Sequence, residues 1–557
     1  MLFAALCLLL LLIGALASSY QCPVSSTPVQ IGPDDKEVYE RRPFIDGTYS
    51  FIDGDMVKHK GNFDVVTSPI IDSETGQRTI IGKIASMSGN DSLSILDNAK
   101  LAWKNGRGVW PQMKALDRID AIEKSVLLLK KRRDEIINVL TWEICKSVND
   151  ATLEFDRTMD FIEASIKAYK DTLSSSQNSV WKTINGIIAK VRRAAIGIML
   201  CLGPFNYPFN ETYATLIPAL LSGNIVIMKI PTIGGLAHML TMEVYKETLP
   251  KGTLQFITGG GRETIGPIMK TGDIDILAFI GGSKAADAII KDHPHPHRLK
   301  VFLQLEGKNL GIVLPNADID ISVEQAVLGS LSFNGQRCTA IKLIFVHESI
   351  AAAFNDKLIN AISLLKFGSP WVANVSITPL PELKKPAYLE ELIKDALSKG
   401  AMLINEKFDG GVMHGNLMVP AVLYPVTSDM KVWHEEQFGP VVPVAEYADI
   451  EEVYDYIAKM PYGQQAAIFT TSPDDAAPIV DVLSTVVGRV NINTQCGRSP
   501  DSLPFSGRRS SAMGTMSITE ALNVFSVETV VAAKKSDINE NILLGVEKTS
   551  RFLHPLE

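Results

Sequence analysis

The sequence is poor in cysteine and lacks an excess of positive charge. Its six cysteines in 557 residues form no C-x-x-C pair and no metal-ligand spacing, so neither a disulfide framework nor a zinc site is indicated. The formal net charge of −8 argues against non-specific nucleic-acid binding, which needs a basic balance. No internal repeat is found. Hydrophobic residues make up 46% and charged residues 21%, as in a globular protein, and the length predicts two or three domains.

The N-terminus is apolar but lacks the positive charge that usually opens a targeting sequence. Residues 2–16 form one leucine-rich run, short for a membrane-spanning helix, and Ala15-Leu16-Ala17 supplies the small residues of a cleavage site. We predict a targeting segment at 1–17, directing the chain to the secretory pathway or an organelle, and a variable lead-in at 18–40. The alternatives are an uncleaved membrane anchor, with membrane contact only through residues 2–16, and a wrong start codon, which would leave the protein in the cytoplasm.

Hydrophobic periodicity predicts an α/β fold. Apolar residues recur every three or four positions from 92 to 172, which indicates helices, and residues 187–193 alternate like an exposed strand. Short apolar strands then alternate with helix-length segments, which is typical of parallel sheets. The predicted strands are Ile198–Leu202, Ile225–Lys229, Leu254–Thr258, Ile274–Ile280 and Lys300–Leu305. A second α/β block follows, with a helix at 321–333, a strand at 342–346 and helices at 350–365 and 386–399.

Glycine turns follow two of these strands. Gly259-Gly260-Gly261 and Gly281-Gly282-Ser283 would each let the backbone approach a pyrophosphate at the carboxyl edge of a parallel sheet. Neither matches G-x-G-x-x-G, so ordinary tight turns are an equally simple explanation.

One cysteine differs from the others in its neighbours. In Asn334-Gly335-Gln336-Arg337-Cys338-Thr339, a thiol follows a turn-prone segment and has a cation directly beside it. The thiolate is the nucleophilic form, and a free thiol is only a few per cent ionised at neutral pH, so a neighbouring cation favours reactivity. Cys338 is therefore the candidate nucleophile, with a buried structural cysteine as the alternative.

Several motifs occur in the order and spacing of one known family. They are Gly203-Pro204-Phe205-Asn206-Tyr207-Pro208, Lys229, Phe279-Ile280-Gly281-Gly282-Ser283, Phe333-Asn334-Gly335-Gln336-Arg337-Cys338-Thr339-Ala340, Glu435-Glu436-Gln437-Phe438-Gly439-Pro440 and Pro504-Phe505. With these motifs the chain, from about residue 65 to residue 532, resembles the aldehyde dehydrogenase superfamily.

The resemblance implies two parallel-sheet α/β domains plus a small oligomerisation element. The cofactor-binding domain is expected at 41–306, with 180–195 as part of the oligomerisation element, and the catalytic domain at 307–510. A C-terminal return and oligomerisation strand is expected at 511–535, and a tail without a recognisable motif at 536–557. Exposed strand edges in the oligomerisation element invite pairing, so a homodimer or homotetramer is expected.

The resemblance also assigns roles to individual residues. Attack of Cys338 on an aldehyde carbon creates an oxyanion, which the amide of Asn206 and the backbone N–H of Cys338 would stabilise. Glu436 and Phe438 would hold the nicotinamide ribose and ring. Gly261, Gly281 and Gly282 are the candidate glycines for the cofactor diphosphate.

Two residues bear on the choice of cofactor. Lys229 ends a strand where the family places a lysine on the adenine ribose, and three residues later many NAD-preferring members carry a glutamate. This chain has Thr232 there. A carboxylate repels a 2′-phosphate, whereas a threonine beside a lysine accepts one, so NADP is favoured, with NAD as the alternative.

The substrate side resembles non-phosphorylating glyceraldehyde-3-phosphate dehydrogenases in particular. The matching residues are Arg157, Tyr207, Arg337 and Arg498. Three arginines and a tyrosine hydroxyl suit a dianionic phosphate, because guanidinium groups pair bidentately with phosphate oxygens. A small phosphorylated aldehyde is therefore the expected substrate; for each arginine alone, a surface salt bridge is the alternative.

One departure concerns the general base. The family motif is Glu-Leu-Gly-Gly-Lys, and the aligned residues are Gln304-Leu305-Glu306-Gly307-Lys308. Glutamine cannot accept a proton from the hydrolytic water. In an extended strand Glu306 would point to the same face as Gln304 and replace the base. Otherwise Gln304 only positions a water, hydrolysis is slow, or the thioester passes to phosphate or coenzyme A.

Two classes of function follow. The first is an NADP-dependent enzyme that oxidises glyceraldehyde 3-phosphate to 3-phosphoglycerate through a cysteine thioester, with another small aldehyde or an acylating reaction as variants. The second is a catalytically weakened relative that keeps the fold for binding or for a structural role.

Overall fold

The computed structural model describes residues 36–72, 74–175 and 180–553. The predicted targeting segment and residues 18–35 of the predicted lead-in lie outside the described residues. In the part that is described, no helix is both long enough and apolar enough to cross a membrane.

Most of the strands are short, and the longest have nine residues. In chain order they are β1 Ile45–Gly47, β2 Tyr49–Ile52, β3 Asp55–Lys58, β4 Phe63–Ile71, β5 Arg78–Ala85, β6 Lys182–Ile184, β7 Ile187–Ala195, β8 Ile198–Leu202, β9 Ile225–Lys229, β10 Leu254–Ile257, β11 Ile276–Ile280, β12 Lys300–Gln304, β13 Asn309–Val313, β14 Ile341–His347, β15 Met402–Leu403, β16 Met413–His414, β17 Leu417–Met418, β18 Ala421–Tyr424, β19 Val441–Tyr447, β20 Tyr462–Gly463, β21 Gln465–Phe469, β22 Arg489–Ile492, β23 Arg508–Arg509, β24 Ala512–Met513 and β25 Ser526–Lys534.

The helices alternate with these strands through most of the chain. They are α1 Lys36–Glu40, α2 Gly89–Trp103, α3 Ala115–Lys131, α4 Arg133–Glu143, α5 Val148–Ser174, α6 Asn210–Leu221, α7 Leu236–Met239, α8 Met242–Thr248, α9 Gly261–Thr271, α10 Ser283–Asp292, α11 Ile319–Leu331, α12 Glu348–Ser363, α13 Lys385–Ser398, α14 Lys431–His434, α15 Ile450–Lys459, α16 Pro473–Ser484, α17 Ile518–Val524 and α18 Asp537–Thr549.

The first large sheet, here called the cofactor-side sheet, has the order β10-β9-β8-β11-β12-β24. All neighbours are parallel except β24, which pairs antiparallel with β12. Strands β8, β9 and β11 are buried along their whole length, as expected for a parallel sheet covered on both faces. The five strands predicted for this region are confirmed, with bounds that differ by at most two residues.

The second large sheet, here called the cysteine-side sheet, has the order β15-β18-β19-β14-β13-β21-β22. Its central strands β19, β14, β13 and β21 are parallel. Separate apolar clusters pack on its two faces, one around Leu310 and Phe345 and the other around Val313 and Phe354. The predicted helix, strand and two helices of the second block correspond to α11, β14, α12 and α13.

A third, antiparallel sheet has the order β25-β7-β6. Nine residue pairs join β25 to β7, from Ser526–Ala195 to Lys534–Ile187. The tail, in which no motif is recognisable, forms helix α18, and this helix packs against the third sheet. There Glu547 forms an ion pair with the buried Lys190 of β7 and accepts a hydrogen bond from Trp181 Nε1 (2.8 Å).

Candidate active site

The two large sheets meet around a cavity of about 1190 Å³. Loops that follow β8, β11 and β12 reach it from the cofactor-side sheet, which is where ligands bind in parallel α/β sheets. The loop between α11 and β14 reaches it from the other side and carries Cys338. Asn206, Gln304, Arg337 and Arg498 also line it.

The backbone before Cys338 is held in an uncommon conformation. Phe333, Asn334 and Gly335 have φ angles of 47°, 59° and 70°, in the left-handed region. The Asn334 side chain holds this turn, since its Oδ1 accepts from Thr378 N (2.9 Å). The Cys338 carbonyl accepts hydrogen bonds from Asn309 Nδ2 and Lys342 Nζ, both at 2.7 Å. The loop therefore fixes Cys338 at the cavity wall.

The surroundings of Cys338 do not by themselves activate its thiol. Burial raises its pKa to about 11, and the negative charge of Glu211 acts in the same direction, while Lys342 acts in the opposite one. The expectation that the neighbouring Arg337 supplies the activating cation is not met, because its guanidinium donates to the Leu328 and Gly329 carbonyls (3.1 and 3.0 Å). Thiolate formation therefore needs help from a bound ligand or a base.

Asn206 lies next to the Cys338 loop. Its Nδ2 donates to the Gln336 carbonyl (2.8 Å), which leaves the second N–H of the amide for an oxyanion. Its backbone carbonyl accepts from Lys146 Nζ (2.8 Å). Side chain and backbone of Asn206 are thus both held, next to the loop that carries Cys338.

Lys146 is a fully buried cation that sequence reasoning missed. It pairs with the equally buried Glu154, and its Nζ lies 3.4 Å from the centre of the Tyr207 ring. Glu154 in turn accepts the backbone N–H groups of Phe209 and Asn210 (2.9 and 3.1 Å). This ion pair therefore ties α5 to the segment that carries Asn206 and to the start of α6.

Of the predicted phosphate-binding residues, Arg157, Tyr207 and Arg498 are brought together, with carboxylates that sequence reasoning did not foresee. The guanidinium of the fourth, Arg337, is instead bound to the Leu328 and Gly329 carbonyls and to Gln495 Oε1. Arg157 forms a bidentate pair with Asp501 (2.9 and 2.7 Å). Arg498 pairs with Glu211 (2.6 Å) and with Asp501 (3.1 Å). Arg157, Tyr207, Glu211 and Arg498 line the same cavity. Two arginines and two carboxylates thus form a cluster whose formal charges cancel.

A weak signal for these carboxylates was present in the sequence. Asp501 follows Arg498 by three residues, and Glu211 is the one acid of α6, most of whose residues are apolar. The contacts of Asp501 with Arg157 and of Glu211 with Arg498 span hundreds of residues along the chain, so no local pattern predicts them. Lys342 was missed for the same reason.

Gln304 and Glu306 both line the cavity, but the strand that would place them side by side is interrupted. Strand β12 ends at Gln304, so the alternation that would place Glu306 beside it does not continue. Gln304 Oε1 is buried and has no hydrogen-bond partner among the described residues. Both oxygens of Glu306 instead accept from Ser283 N (2.8 Å each), at the first residue of α10. The expected substitution of Glu306 for the base is therefore not what this geometry favours.

The residues predicted for the adenosine end of a cofactor lie around β9 and α9. Lys229 is buried, which lowers its pKa to about 8, and its Nζ donates to the Ile230 carbonyl (2.6 Å). Thr232 is exposed. Gly261 begins α9, and a Cβ added there would meet no atom within 4 Å. Thr232 and Gly261 are therefore accessible to a ligand, whereas Lys229 is buried against the backbone.

The residues predicted for the nicotinamide end line the main cavity. Glu436 pairs with Lys342 (3.1 Å) and accepts from Gly307 N (3.1 Å). Phe438 packs edge-on against Phe205, with 5.9 Å between the ring centres. These residues fit a ribose and a ring.

The diphosphate region is less open. Gly281 and Gly282 precede α10, whose first N–H would suit an anion, but the Glu306 carboxylate already occupies that N–H. A Cβ added at Gly282 would meet Glu306 Oε1 at 3.2 Å. The residues present therefore fit a dinucleotide at both ends and require Glu306 to move in the middle.

No group of three or more histidine, cysteine, aspartate and glutamate side chains within residues 36–72, 74–175 and 180–553 could hold a metal ion. The four cysteines of these segments, Cys145, Cys201, Cys338 and Cys496, are free thiols.

The fold agrees with the comparison to known proteins. The model of the aldehyde dehydrogenase family matches residues 67–531, and the chain belongs to this family. The expected family and fold are thereby confirmed.

Within the family, the chain is similar to proteins named NADP-dependent glyceraldehyde-3-phosphate dehydrogenase. The one from Streptococcus equinus is 33% identical over 462 residues, which cover 82% of this chain and 92% of that protein. The one from Pisum sativum is 30% identical over 495 residues, which cover 86% and 96%. The crystal structure of the Bacillus halodurans C-125 enzyme complexed with NADP matches with a TM-score of 0.80 and 31% identity, covering 88% of this chain and 100% of that one.

Proposed function

We propose that the protein oxidises glyceraldehyde 3-phosphate to 3-phosphoglycerate with NADP, through a thioester on Cys338 and without an acyl phosphate. The observation that carries this proposal is the placement of Cys338, Arg157, Tyr207 and Arg498 around one cavity. The names of the similar proteins point to the same substrate and cofactor.

Different residues of the chain carry out different steps of the reaction. Cys338 Sγ bonds to the aldehyde carbon, and the free N–H of Asn206 donates to the resulting oxyanion. Bound NADP supplies the acceptor for the hydride that this carbon loses. The thioester left on Cys338 is then hydrolysed by water, which needs a proton acceptor other than Gln304.

Recognition of the phosphate depends on the arginine cluster. Arg157 and Arg498 are held in place by Asp501 and Glu211, so the guanidinium groups are oriented before the substrate arrives. A phosphate has to compete with these carboxylates, which makes the site selective for a dianion over a weaker acceptor.

NADP is proposed over NAD. Lys229 supplies a cation near the adenine ribose, and the exposed hydroxyl of Thr232 offers a hydrogen bond to a 2′-phosphate without the repulsion of a carboxylate. NAD is the alternative. Measuring the affinity of one preparation of the protein for each of the two dinucleotides distinguishes these possibilities.

The substrate proposal predicts strong discrimination between two aldehydes. The value of kcat/KM for glyceraldehyde 3-phosphate is expected to exceed that for glyceraldehyde by about 10²-fold or more, because the unphosphorylated aldehyde leaves the arginine cluster unused. NADPH absorbance after rapid mixing measures both. Equal rates for the two aldehydes would contradict the phosphate site, and no NADPH with either would favour a binding or structural role.

Gln304 supports one variant of this function. If no base hydrolyses the thioester efficiently, NADPH forms in a burst followed by slow turnover, and another acceptor removes the acyl group. Acceleration of the slow phase by phosphate or coenzyme A would identify an acylating enzyme.

The position of Glu306 predicts an effect on cofactor affinity. Glu306→Gln is expected to bind NADP at least about tenfold more tightly, because the substitution removes a negative charge from the place of the diphosphate. Calorimetric titration without aldehyde measures this. Glu247→Gln, an exposed acid on α8, is the control and is expected to bind like the unmutated protein. Weaker binding by the Glu306 variant would mean that this carboxylate holds the cofactor.

Assembly and location are also proposals. We propose a homodimer or homotetramer in which the third sheet, through β25 and β6, contributes to the contact; the exposed Val527 and Val530 of β25 support this. We propose that residues 1–17 direct the chain to the secretory pathway or an organelle. Light scattering of the purified protein tests the oligomeric state. Localisation of a fluorescent fusion with and without residues 1–17 tests the targeting segment.

A further inference from the structure

Hydrolysis of the thioester requires a proton acceptor near Cys338, and the usual position holds Gln304. A replacement base is needed on the function proposed above. A carboxylate is the natural candidate, because an ionised Asp or Glu only accepts protons. Several carboxylates line the cavity, and most of them already have a role.

The carboxylates on the cofactor side of the cavity are engaged by backbone and lysine groups. Glu306 binds the start of α10 through both oxygens. Glu436 is paired with Lys342 and with Gly307 N. Asp501, on the substrate side, holds Arg157 with both oxygens and Arg498 with one. Moving any of these would leave a partner without its counter-charge or its acceptor.

Glu211 is different in position and in contacts. It is the second residue of α6, five residues after Asn206, and its side chain is only 14% exposed. It faces the cavity that contains Cys338, and the contact recorded for its carboxylate is the ion pair of Oε1 with Arg498 Nη1. Its charge is close enough to Cys338 to be the largest effect on that thiol after burial.

We propose that Glu211 is the general base for hydrolysis of the Cys338 thioester. A water molecule gives a proton to the Glu211 carboxylate while its oxygen bonds to the acyl carbon. The carbon–sulfur bond then breaks, the sulfur leaves as a thiolate, and Glu211 returns the proton to the sulfur or to solvent. No oxidation state changes in this step, and water is the only co-reactant.

Two neighbours prepare this step. Binding of a phosphate to Arg498 competes with Glu211 for the guanidinium, so the carboxylate is released when substrate is present. Gln304 Oε1, buried and without a partner in the described segments, accepts a hydrogen bond from water but cannot take its proton. Gln304 therefore orients the hydrolytic water, and Glu211 accepts its proton.

The test separates acylation from deacylation. In rapid mixing with glyceraldehyde 3-phosphate and NADP, the NADPH burst reports acylation, and mass spectrometry of quenched samples reports the lifetime of the acyl group on Cys338. Glu211→Gln is expected to lengthen this lifetime by about 10²- to 10⁴-fold, the usual contribution of a general base. The burst is measured at saturating substrate, because Glu211 also holds Arg498 of the phosphate site. Under that condition it is not expected to slow, since loss of the Glu211 charge lowers the pKa of the Cys338 thiol and raises its thiolate fraction at neutral pH.

Opposite effects on the two phases are the signature that a merely structural role would not produce. Glu211→Gln combined with Gln304→Glu is expected to shorten the acyl lifetime again, since a base is restored at the family position. Glu247→Gln serves as the control for removal of an acid.

Three outcomes would overturn the proposal. They are an unchanged acyl lifetime in Glu211→Gln, an equal slowing of both phases, and a lengthened lifetime in Glu306→Gln that Glu211→Gln does not reproduce. A failure of the proposed function looks different, because the unmutated protein would then form neither NADPH nor an acyl group on Cys338.

Discussion

Cys338→Ser is expected to lower kcat for aldehyde oxidation by about 10⁴-fold or more, as removal of an enzyme nucleophile commonly does. A hydroxyl at this position is a far weaker nucleophile than a thiolate, because it is not ionised at neutral pH. NADPH formation measures the loss. NADP affinity, measured by calorimetry, is expected to remain, because the sulfur is not among the groups that hold the cofactor.

Cys201→Ser is the matched control for this substitution. Cys201 is a buried thiol on β8 whose sulfur lies 3.3 Å from Thr215 Oγ1, so a serine keeps the contact. This variant is expected to retain activity. Undiminished oxidation by Cys338→Ser, or an equal loss in both variants, would contradict the assignment of Cys338 as the nucleophile.

Lys146→Met is expected to cost about 3–5 kcal/mol of folding free energy, because it leaves the buried Glu154 without its counter-charge. The pair is completely buried, and Glu154 also holds the backbone at the start of α6. The same substitution releases the Asn206 carbonyl, so kcat should fall as well in the fraction that folds. Urea unfolding followed by circular dichroism measures the stability, provided that the transition is two-state.

A matched control lies on the same helix as Glu154. Lys167→Met breaks an exposed pair with Asp171 and is expected to leave the unfolding midpoint nearly unchanged. Lys146→Met combined with Glu154→Leu should recover part of the lost stability, since no charge is then left buried. A small effect of Lys146→Met alone would mean that Glu154 becomes neutral or reaches water at little cost.

The strands were predictable because buried strands correspond to short runs of apolar residues in the sequence. Both β8 and β9 are runs of five buried, mainly apolar residues bounded by turns. The sequence predicts each of them with the observed bounds. The cavity residues Asn206, Cys338 and Glu436 were predictable from motif order. Helix α18 was not, because most of its apolar residues stay exposed and its position depends on the contact of Glu547 with Lys190 of a distant strand.

The chemistry of the site was harder to predict than its location. The sequence placed Arg157 and Arg498 together but not the carboxylates between them, since Arg157 and Asp501 are 344 positions apart. The position of the Glu306 side chain depends on where β12 ends. The strand stops two residues before Glu306, so its alternation does not reach that residue. Strand ends and long-range ion pairs follow from packing of the whole chain, which local patterns do not contain.

The pairing of β24 with β12 has a consequence for biosynthesis. The edge of the cofactor-side sheet next to Gln304 receives its last strand from residues 512–513, after the whole cysteine-side sheet has been made. While the ribosome is still translating that second sheet, the β12 edge stays unpaired and open to association with other nascent chains. Chaperone protection during translation should therefore matter more for this protein than for one whose first sheet closes on itself.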